Sequence, residues 1–243
     1  MSPVSEDPCT ITIAFDNIAY NDALTTSWGF SAVIEYHGGM VLFDTGGQGS
    51  ILLDNLQTLG FEPAQFQHIV ISHAHQDHFG GLQALAAAGA SASVYAFPQV
   101  ERALAGLPLP GMSFMPVEAG MEIEEGIASS GVIGEAIPEQ ALVVQTPSGL
   151  IILTGCAHPG VVRIVREVQQ HYQEPIYLVL GGFHLGNASD AIIADTIAAL
   201  QDLGVERIAP SHCTGARAIQ LFEAAYGDNF IRSGVGRVMT FTF

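Results

Sequence analysis

Residues 69–81 read IVISHAHQDHFGG, and the fold turns on this stretch. An apolar strand over residues 68–71 runs into a polar loop that carries His73, His75, Asp77 and His78, and the Ala-rich sequence beyond predicts a helix from about Gly80 to Ala88. Residues two apart in an extended segment project to the same side, so His73 and His75 can share one ion. Asp77 and His78, past the turn, can address a neighbouring one. Imidazole nitrogen and carboxylate oxygen suit zinc, iron or manganese. A single histidine is ordinarily a surface group or a hydrogen-bonded core residue. Four such groups in one loop, buried without an ion, would leave several polar atoms needing partners, so the cluster reads as metal-binding.

Working outward, residues 10–14, 30–36 and 40–43 read as strands, the last two forming a hairpin through His37-Gly38-Gly39. Ser50 is placed to cap a helix through Leu59. Residues 105–116 hold several Pro and Gly with little periodicity and read as a connecting loop, able to act as a lid over the site. Strands resume at 141–146 and 150–153, a hairpin through Pro147-Ser148-Gly149, and a helix runs from Gly160 to about Gln173. An apolar strand over 176–180 ends in Gly181-Gly182, residues 189–203 read helical, residues 207–209 form a strand stopping at Pro210, and Thr214 caps a helix to Tyr226. Helices on both sides of β segments predict a layered α/β architecture, one domain over residues 1–243, with functional loops where strands end.

Those strand ends carry further chemistry. Thr154-Gly155-Cys156-Ala157-His158 offers a thiolate, if an ion lowers its pKa, and an imidazole two residues on; the alternatives are a small packed cysteine and a hydrogen-bonding histidine. His184 in Gly181-Gly182-Phe183-His184-Leu185 reads as a substrate contact, proton donor or alternative ligand. After Pro210-Ser211-His212, Cys213 reads as an inert packed thiol. Thr214, Gly215 and Arg217 read as a substrate anion site at a helix start, with a routine cap the competing account of Thr214. His37, His68 and His171 fall in a turn, at a strand start and near a helix end, away from the site.

The run His73-Ala74-His75-Gln76-Asp77-His78 matches the HxHxDH signature, Phe43-Asp44-Thr45-Gly46 is similar to an earlier Asp motif, and the Cys156 and His212 motifs follow in the matching order. The chain resembles the metallo-β-lactamase superfamily, which includes glyoxalase II, lactonases and nucleases. Its later motifs resemble the branch of dihydropterin-ribofuranosylaminobenzene-phosphate synthases. The resemblance implies a four-layer αββα sandwich with a metal site at one edge between the sheets. It implies that His73, His75 and a third histidine hold one metal and Asp77, His78 and His212 a second, with Cys156 standing where many relatives have a bridging Asp. Asp44 is expected to orient ligand imidazoles, with a simple turn role as its competitor. The pattern departs from the family at one point: no histidine lies between His78 and His158. His158 is the candidate replacement, and a single-metal site is the alternative.

Composition bounds the partners. Seven basic residues, all arginine, stand against 24 acidic ones, and the net charge of -17 opposes extended nucleic-acid binding. No apolar run is long enough for a membrane span, residues 1–7 lack the pattern of an export signal, and three cysteines in a chain of this length favour the reducing cytoplasm. No dinucleotide fingerprint or nucleophile elbow is present, so no organic cofactor is expected. The function expected is a metal-dependent hydrolase, with zinc as one or two ions, directing a metal-bound hydroxide at a small anionic ester, lactone or phosphate, with Asp77 and His184 as catalytic groups. The alternatives are a phosphoribosyl-transfer synthase and a non-catalytic metal or ligand sensor.

Overall fold

The computed structural model describes residues 8–243; the export reading of residues 1–7 lies outside them. The first half runs β1 (Cys9–Phe15), β2 (Ser31–Tyr36), β3 (Gly39–Phe43), α1 (Gly49–Leu59), β4 (His68–Val70), α2 (Gln76–Phe79), α3 (Leu82–Ala87), β5 (Ala92–Tyr95), α4 (Pro98–Leu104) and β6 (Met112–Met115). The second runs β7 (Glu122–Glu124), β8 (Ile127–Ser129), β9 (Leu142–Thr146), β10 (Gly149–Thr154), α5 (Val161–Tyr172), β11 (Ile176–Gly182), α6 (Asp190–Asp202), β12 (Arg207–Ser211), α7 (Ala216–Tyr226) and β13 (Val238–Phe241). They build a seven-stranded sheet in the order β13-β1-β2-β3-β4-β5-β6 and a six-stranded sheet in the order β12-β11-β10-β9-β8-β7.

Side-chain alternation explains how the sheets layer. In β3, Val41 and Phe43 point into the core between the sheets while Leu42 packs under α1, α3 and α4 with Leu52, Leu56 and Leu85. In β10, Ile151 and Leu153 face the other sheet while Leu150 and Ile152 pack beneath α5, α6 and α7 with Ile164, Ile197 and Phe222. Both faces of these strands are covered, which is why they read apolar at nearly every position rather than alternately. Each such side chain, fully buried, contributes about 1.5–3 kcal/mol. The result is the αββα sandwich that the family resemblance implies, and a case of the layered α/β architecture read from the sequence pattern. The second sheet turns parallel at β10, β11 and β12, the first at β3 to β6, and helical crossovers leave loops at the strand ends.

Several local expectations are corrected. The segment 105–116 is not a lid: it contains β6, the parallel edge strand beside β5. Its period was masked because only four residues pair and their burial does not alternate. The short strands β5, β7, β8 and β13, and α4, were not anticipated, each having too few residues to establish a period. Gln48, not Ser50, occupies the N-cap of α1, without a side-chain bond. Pro210 does not end β12, which continues to Ser211; the strand lies at the sheet edge, where a missing N–H is tolerated. Gly215, not Thr214, precedes α7, and no side chain caps that helix.

Candidate metal centre

The site lies where strands from both sheets end. Asp44 follows β3, His73 and His75 follow β4, Asp77 and His78 lie on α2, Cys156 and His158 follow β10, His184 follows β11 and His212 follows β12. Four non-glycine residues here, Asp44, Ala157, His184 and His212, have φ of 57°, 59°, 52° and 50°. That left-handed conformation is costly for such residues, and its concentration around one centre marks a place where side-chain position outweighs backbone comfort. Gly155 is required by close approach: a Cβ there would sit 2.1 Å from Ser72 Oγ and 3.0 Å from Asp44 Oδ2.

The donor atoms of Asp77, His78, Cys156 and His212 all lie within 4.8 Å of one another, as do those of His73, Cys156 and His158. His75 joins the second set, its Nδ1 3.0 Å from His73 Nε2 and its ring centroid 4.8 Å from that of His158. Cys156 is common to both sets. The structure thus brings together every metal ligand expected from the sequence, with His158 beside His73 and His75.

Each of four imidazoles is held through Nδ1, which leaves Nε2 for the centre. His73 Nδ1 bonds Ser72 Oγ at 2.9 Å, and that hydroxyl donates to Asp44 Oδ2 at 2.7 Å. His78 Nδ1 donates to the same Asp44 oxygen at 2.7 Å, His158 Nδ1 to Glu139 Oε2 at 3.1 Å, and His212 Nδ1 to Asn17 Oδ1 at 2.8 Å. The partners fix the tautomer and ring orientation, as the outer partners of metal-binding histidines do. His212 Nε2 is buried with no hydrogen-bond partner. Asp77 Oδ2 stands 3.4 Å from it, and a buried ring nitrogen and a carboxylate oxygen facing each other at that spacing without a well-formed hydrogen bond fit an ion held between them. With imidazole, carboxylate and thiol donors converging, the residues present fit a zinc-like or iron-like ion.

Electrostatics agree. Burial holds His73 well below its ordinary value and His78 down at about 3, so both stay neutral and able to ligate at pH 7. Burial would raise Asp77, but the neighbouring His212 and His78 rings outweigh it and keep the carboxyl below the usual range. Burial pushes Asp44 well above its ordinary value, against the hydrogen bonds from Ser72. Burial would raise Glu139 too. The His158 hydrogen bond, the nearby His73 and the backbone N–H groups of Ala157 and His158 outweigh it and bring the carboxyl to about 2. Contact with Cys213 raises His184, which leaves that exposed ring a better proton donor near neutrality.

Not every expectation holds. Cys213 is buried and close to the centre, as its place beside His212 implies. Its Sγ accepts from the His184 N–H at 3.3 Å, its donor atom lies within 4.8 Å of those of Cys156 and His184, and contact with Cys156 and His184 lowers its thiol from the ordinary value. Thr214 does not offer its hydroxyl to a substrate: fully buried, it donates to Ser211 O at 2.6 Å and accepts from Phe183 N at 3.0 Å. Arg217 points away, paired with Asp190 on the surface. Of the three proposed anion-site residues only Gly215 lines the cavity of about 550 Å³ beside the centre, which Asn17, Trp28, His184 and His212 also line. His68 bonds Tyr95 and Glu124, away from the site as expected. Sequence reasoning missed Glu139, Asn17, Ser72 and Trp28. Glu139 had one signal, an isolated carboxylate set between Pro138 and Gln140 immediately before an apolar strand.

The sequence profile of the Metallo-beta-lactamase superfamily matches residues 29–212. The chain belongs to this superfamily. Over 95% of its length, and 95% of the relative's, it is 29% identical to the 7,8-dihydropterin-6-methyl-4-(beta-D-ribofuranosyl)-aminobenzene-5'-phosphate synthase of Methanocaldococcus jannaschii. A second M. jannaschii protein, uncharacterized, is 28% identical over 94% of this chain and 99% of its own. Among solved structures, a metal-dependent hydrolase of the beta-lactamase superfamily superposes with a TM-score of 0.80 at 26% identity, covering 97% of this chain and 100% of the other. Metallo-beta-lactamase-fold proteins thus include both a named synthase and a hydrolase among the chain's relatives. No helix among the described residues is long and apolar enough to cross a membrane.

Proposed function

We propose that the protein is a metal-dependent enzyme that hydrolyses a small anionic ester, lactone or phosphate, using zinc as one or two ions. The observation that carries this reading is the convergence of seven donor side chains on one strand-end cleft, with the buried His212 Nε2 facing only Asp77 Oδ2, at 3.4 Å. His73, His75 and His158 would hold one ion and Asp77, His78 and His212 the other, with Cys156 between them. A divalent ion so held supplies Lewis acidity to the reacting bond and to water. Around it the chain's own residues act. Asp77 stays ionised to position the attacking group, and His184, at the cavity wall, delivers a proton to the leaving group. Asp44, Glu139 and Asn17 keep the imidazoles aimed. The acidic surface and a bounded cavity favour a small molecule over nucleic acid, and three free thiols suit a cytoplasmic setting.

A second reading, phosphoribosyl transfer, is favoured by the likeness to the M. jannaschii synthase over nearly the whole of both chains. Release of diphosphate from a phosphoribosyl donor in the presence of an aromatic amine acid would select it over hydrolysis. The test of the leading reading is metal content by elemental mass spectrometry, on protein purified without an affinity-metal step. The expected result is about two ions, falling to about one in His158→Ala, with turnover of esters, lactones or phosphodiesters lost in His75→Ala and His212→Ala while circular dichroism is retained. Absence of metal from replete wild-type protein, or normal turnover in both variants, overturns it.

A further inference from the structure

A second cavity, of about 410 Å³, lies on the other side of His212 and shares with the first only Asn17, His212 and Gly215. Its remaining polar wall is Gln220, Arg232 and Ser233, and its floor is the start of α7 at Ala216. We propose that this cavity is a phosphomonoester subsite, receiving a terminal phosphate of the substrate whose reacting bond lies at the metal centre. The proposal rests on the reading of that centre as the active site.

Independent features point to an anion there. Ser233 is only 4% exposed, yet its Oγ has no hydrogen-bond partner. Among the buried hydroxyls without a partner, those of Tyr172, Ser211, Tyr226 and Ser233, only Ser233 belongs to this cavity's wall, where a ligand can satisfy it. Arg163, Arg207 and Arg217 each pair with a carboxylate; Arg102, Arg166, Arg232 and Arg237 have no ion pair among the described residues, and of these four Arg232 lines this cavity. In a chain of net charge -17, an unneutralised guanidinium on a cavity wall reverses the local potential. The eleven-residue α7 has no side-chain cap, so its first N–H groups are open to an acceptor. The segment bearing Arg232 and Ser233 is pinned on both sides, Ile231 N to Ile208 O at 2.8 Å and Val235 N to Ile18 O at 2.8 Å, so the donors are preorganised. Asp16, the nearest opposing carboxyl in sequence, is fully buried, directs Oδ1 to the Ile18 N–H at 2.9 Å and does not line the cavity. Arg232 and Ser233 thus take the role that the sequence assigned to Arg217 and Thr214.

The experiment titrates metal-loaded wild-type, Arg232→Ala, Ser233→Ala and Arg217→Ala proteins calorimetrically with ribose 5-phosphate, ribose and inorganic phosphate. The absorption of the cobalt-substituted protein reports any direct ligation. Ribose 5-phosphate should bind the wild type, ribose should not, and Arg232→Ala should weaken binding about tenfold or more, the loss of one charge-assisted bond. Ser233→Ala should weaken it less, Arg217→Ala should not change it, and the cobalt bands should stay unperturbed. Equal affinity in Arg232→Ala, or a cobalt shift that tracks binding regardless of Arg232, overturns the proposal. So does dependence on Arg232 for inorganic phosphate with no binding of ribose 5-phosphate. Failure of the subsite in protein that loads metal and turns over leaves the function standing; Arg232-dependent binding in protein that never loads metal does the reverse.

Discussion

Replacing Glu139 by Gln should release one wall of the metal centre. The carboxylate is fully buried. Its Oε1 accepts the N–H groups of Cys156 and Ala157, both at 2.8 Å, and its Oε2 accepts His158 N at 3.0 Å and Nδ1 at 3.1 Å. A glutamine keeps one oxygen for two of these donors but sets an amide NH2 against the other two. With each charge-assisted bond contributing roughly 1.5–3 kcal/mol, and a buried donor now facing a donor, the variant should lose about 3–5 kcal/mol at pH 7. The pH dependence supplies the sign. Because the folded carboxyl titrates at about 2 rather than 4.5, it binds a proton more weakly folded than unfolded. Its contribution, about 3 kcal/mol, is complete above pH 4.5 and lost as pH falls through 2. Urea denaturation of the metal-free wild type and Glu139→Gln should therefore show a gap at neutral pH that closes toward pH 2, and the variant should lose the ion assigned to His158. A difference below about 1 kcal/mol at neutral pH that does not vary with acid would refute the reasoning.

Asp44→Asn should weaken metal binding about 10- to 100-fold in a chelator competition. Its amide would present a donor to His78 Nδ1, now 2.7 Å from an Asp44 oxygen, and so favour the tautomer with Nε2 protonated and unable to ligate; wild-type affinity would count against that assignment. Trp28 is 58% exposed and its ring lies 4.8 Å from that of His212 at the cavity mouth. Trp28→Ala should leave the melting temperature unchanged while raising KM about 3- to 10-fold for a substrate with a planar ring, and an unchanged KM would remove Trp28 from the site. Gly155→Ala should fold poorly or lose metal, because the added methyl meets Ser72 Oγ at 2.1 Å; a fully loaded, stable variant would show that the loop yields.

Residues 69–81 were legible because their chemistry is local. Strand, loop and helix follow one another within the motif, so the spacing of His73, His75, Asp77 and His78 survives folding almost unchanged. Cys156, His158, His184 and His212 were legible for a related reason, each following directly on an apolar strand in a fold whose strand ends carry the site. Glu139 and Gln140 were not, because Glu139 acts 17 to 19 residues further along the chain, at the loop after β10, and Gln140 acts across the sandwich. Gln140 Nε2 donates to Ile71 O at 2.9 Å and Tyr95 O at 3.0 Å, carbonyls of the opposite sheet's layer, while its Oε1 accepts from Ser129 at 2.8 Å. No spacing along the chain reports a contact between positions 69 residues apart. Arg217 misled for the converse reason: as the second residue of α7 it is near the site in sequence, but its side chain turns outward to Asp190.

The missing upstream histidine can then be understood from the supports rather than the ligands. The two sheets contribute one buried carboxylate each, Asp44 after β3 and Glu139 before β9, and each engages an imidazole Nδ1, His78 in one case and His158 in the other. A histidine can occupy the third position of the first set from any point in the chain, provided an acceptor meets Nδ1 and Nε2 faces the centre. Glu139 provides that acceptor and also ties down the N–H groups of residues 156–158, so a single carboxylate sets both the loop that carries Cys156 and the ring proposed to replace the absent ligand. His158 and Glu139 are thus one device. A double variant lacking both should lose little more metal affinity than His158→Ala alone, because Glu139 acts on the ion through that ring. Additive losses in chelator titrations would mean instead that Glu139 holds Cys156 for the ion independently of His158.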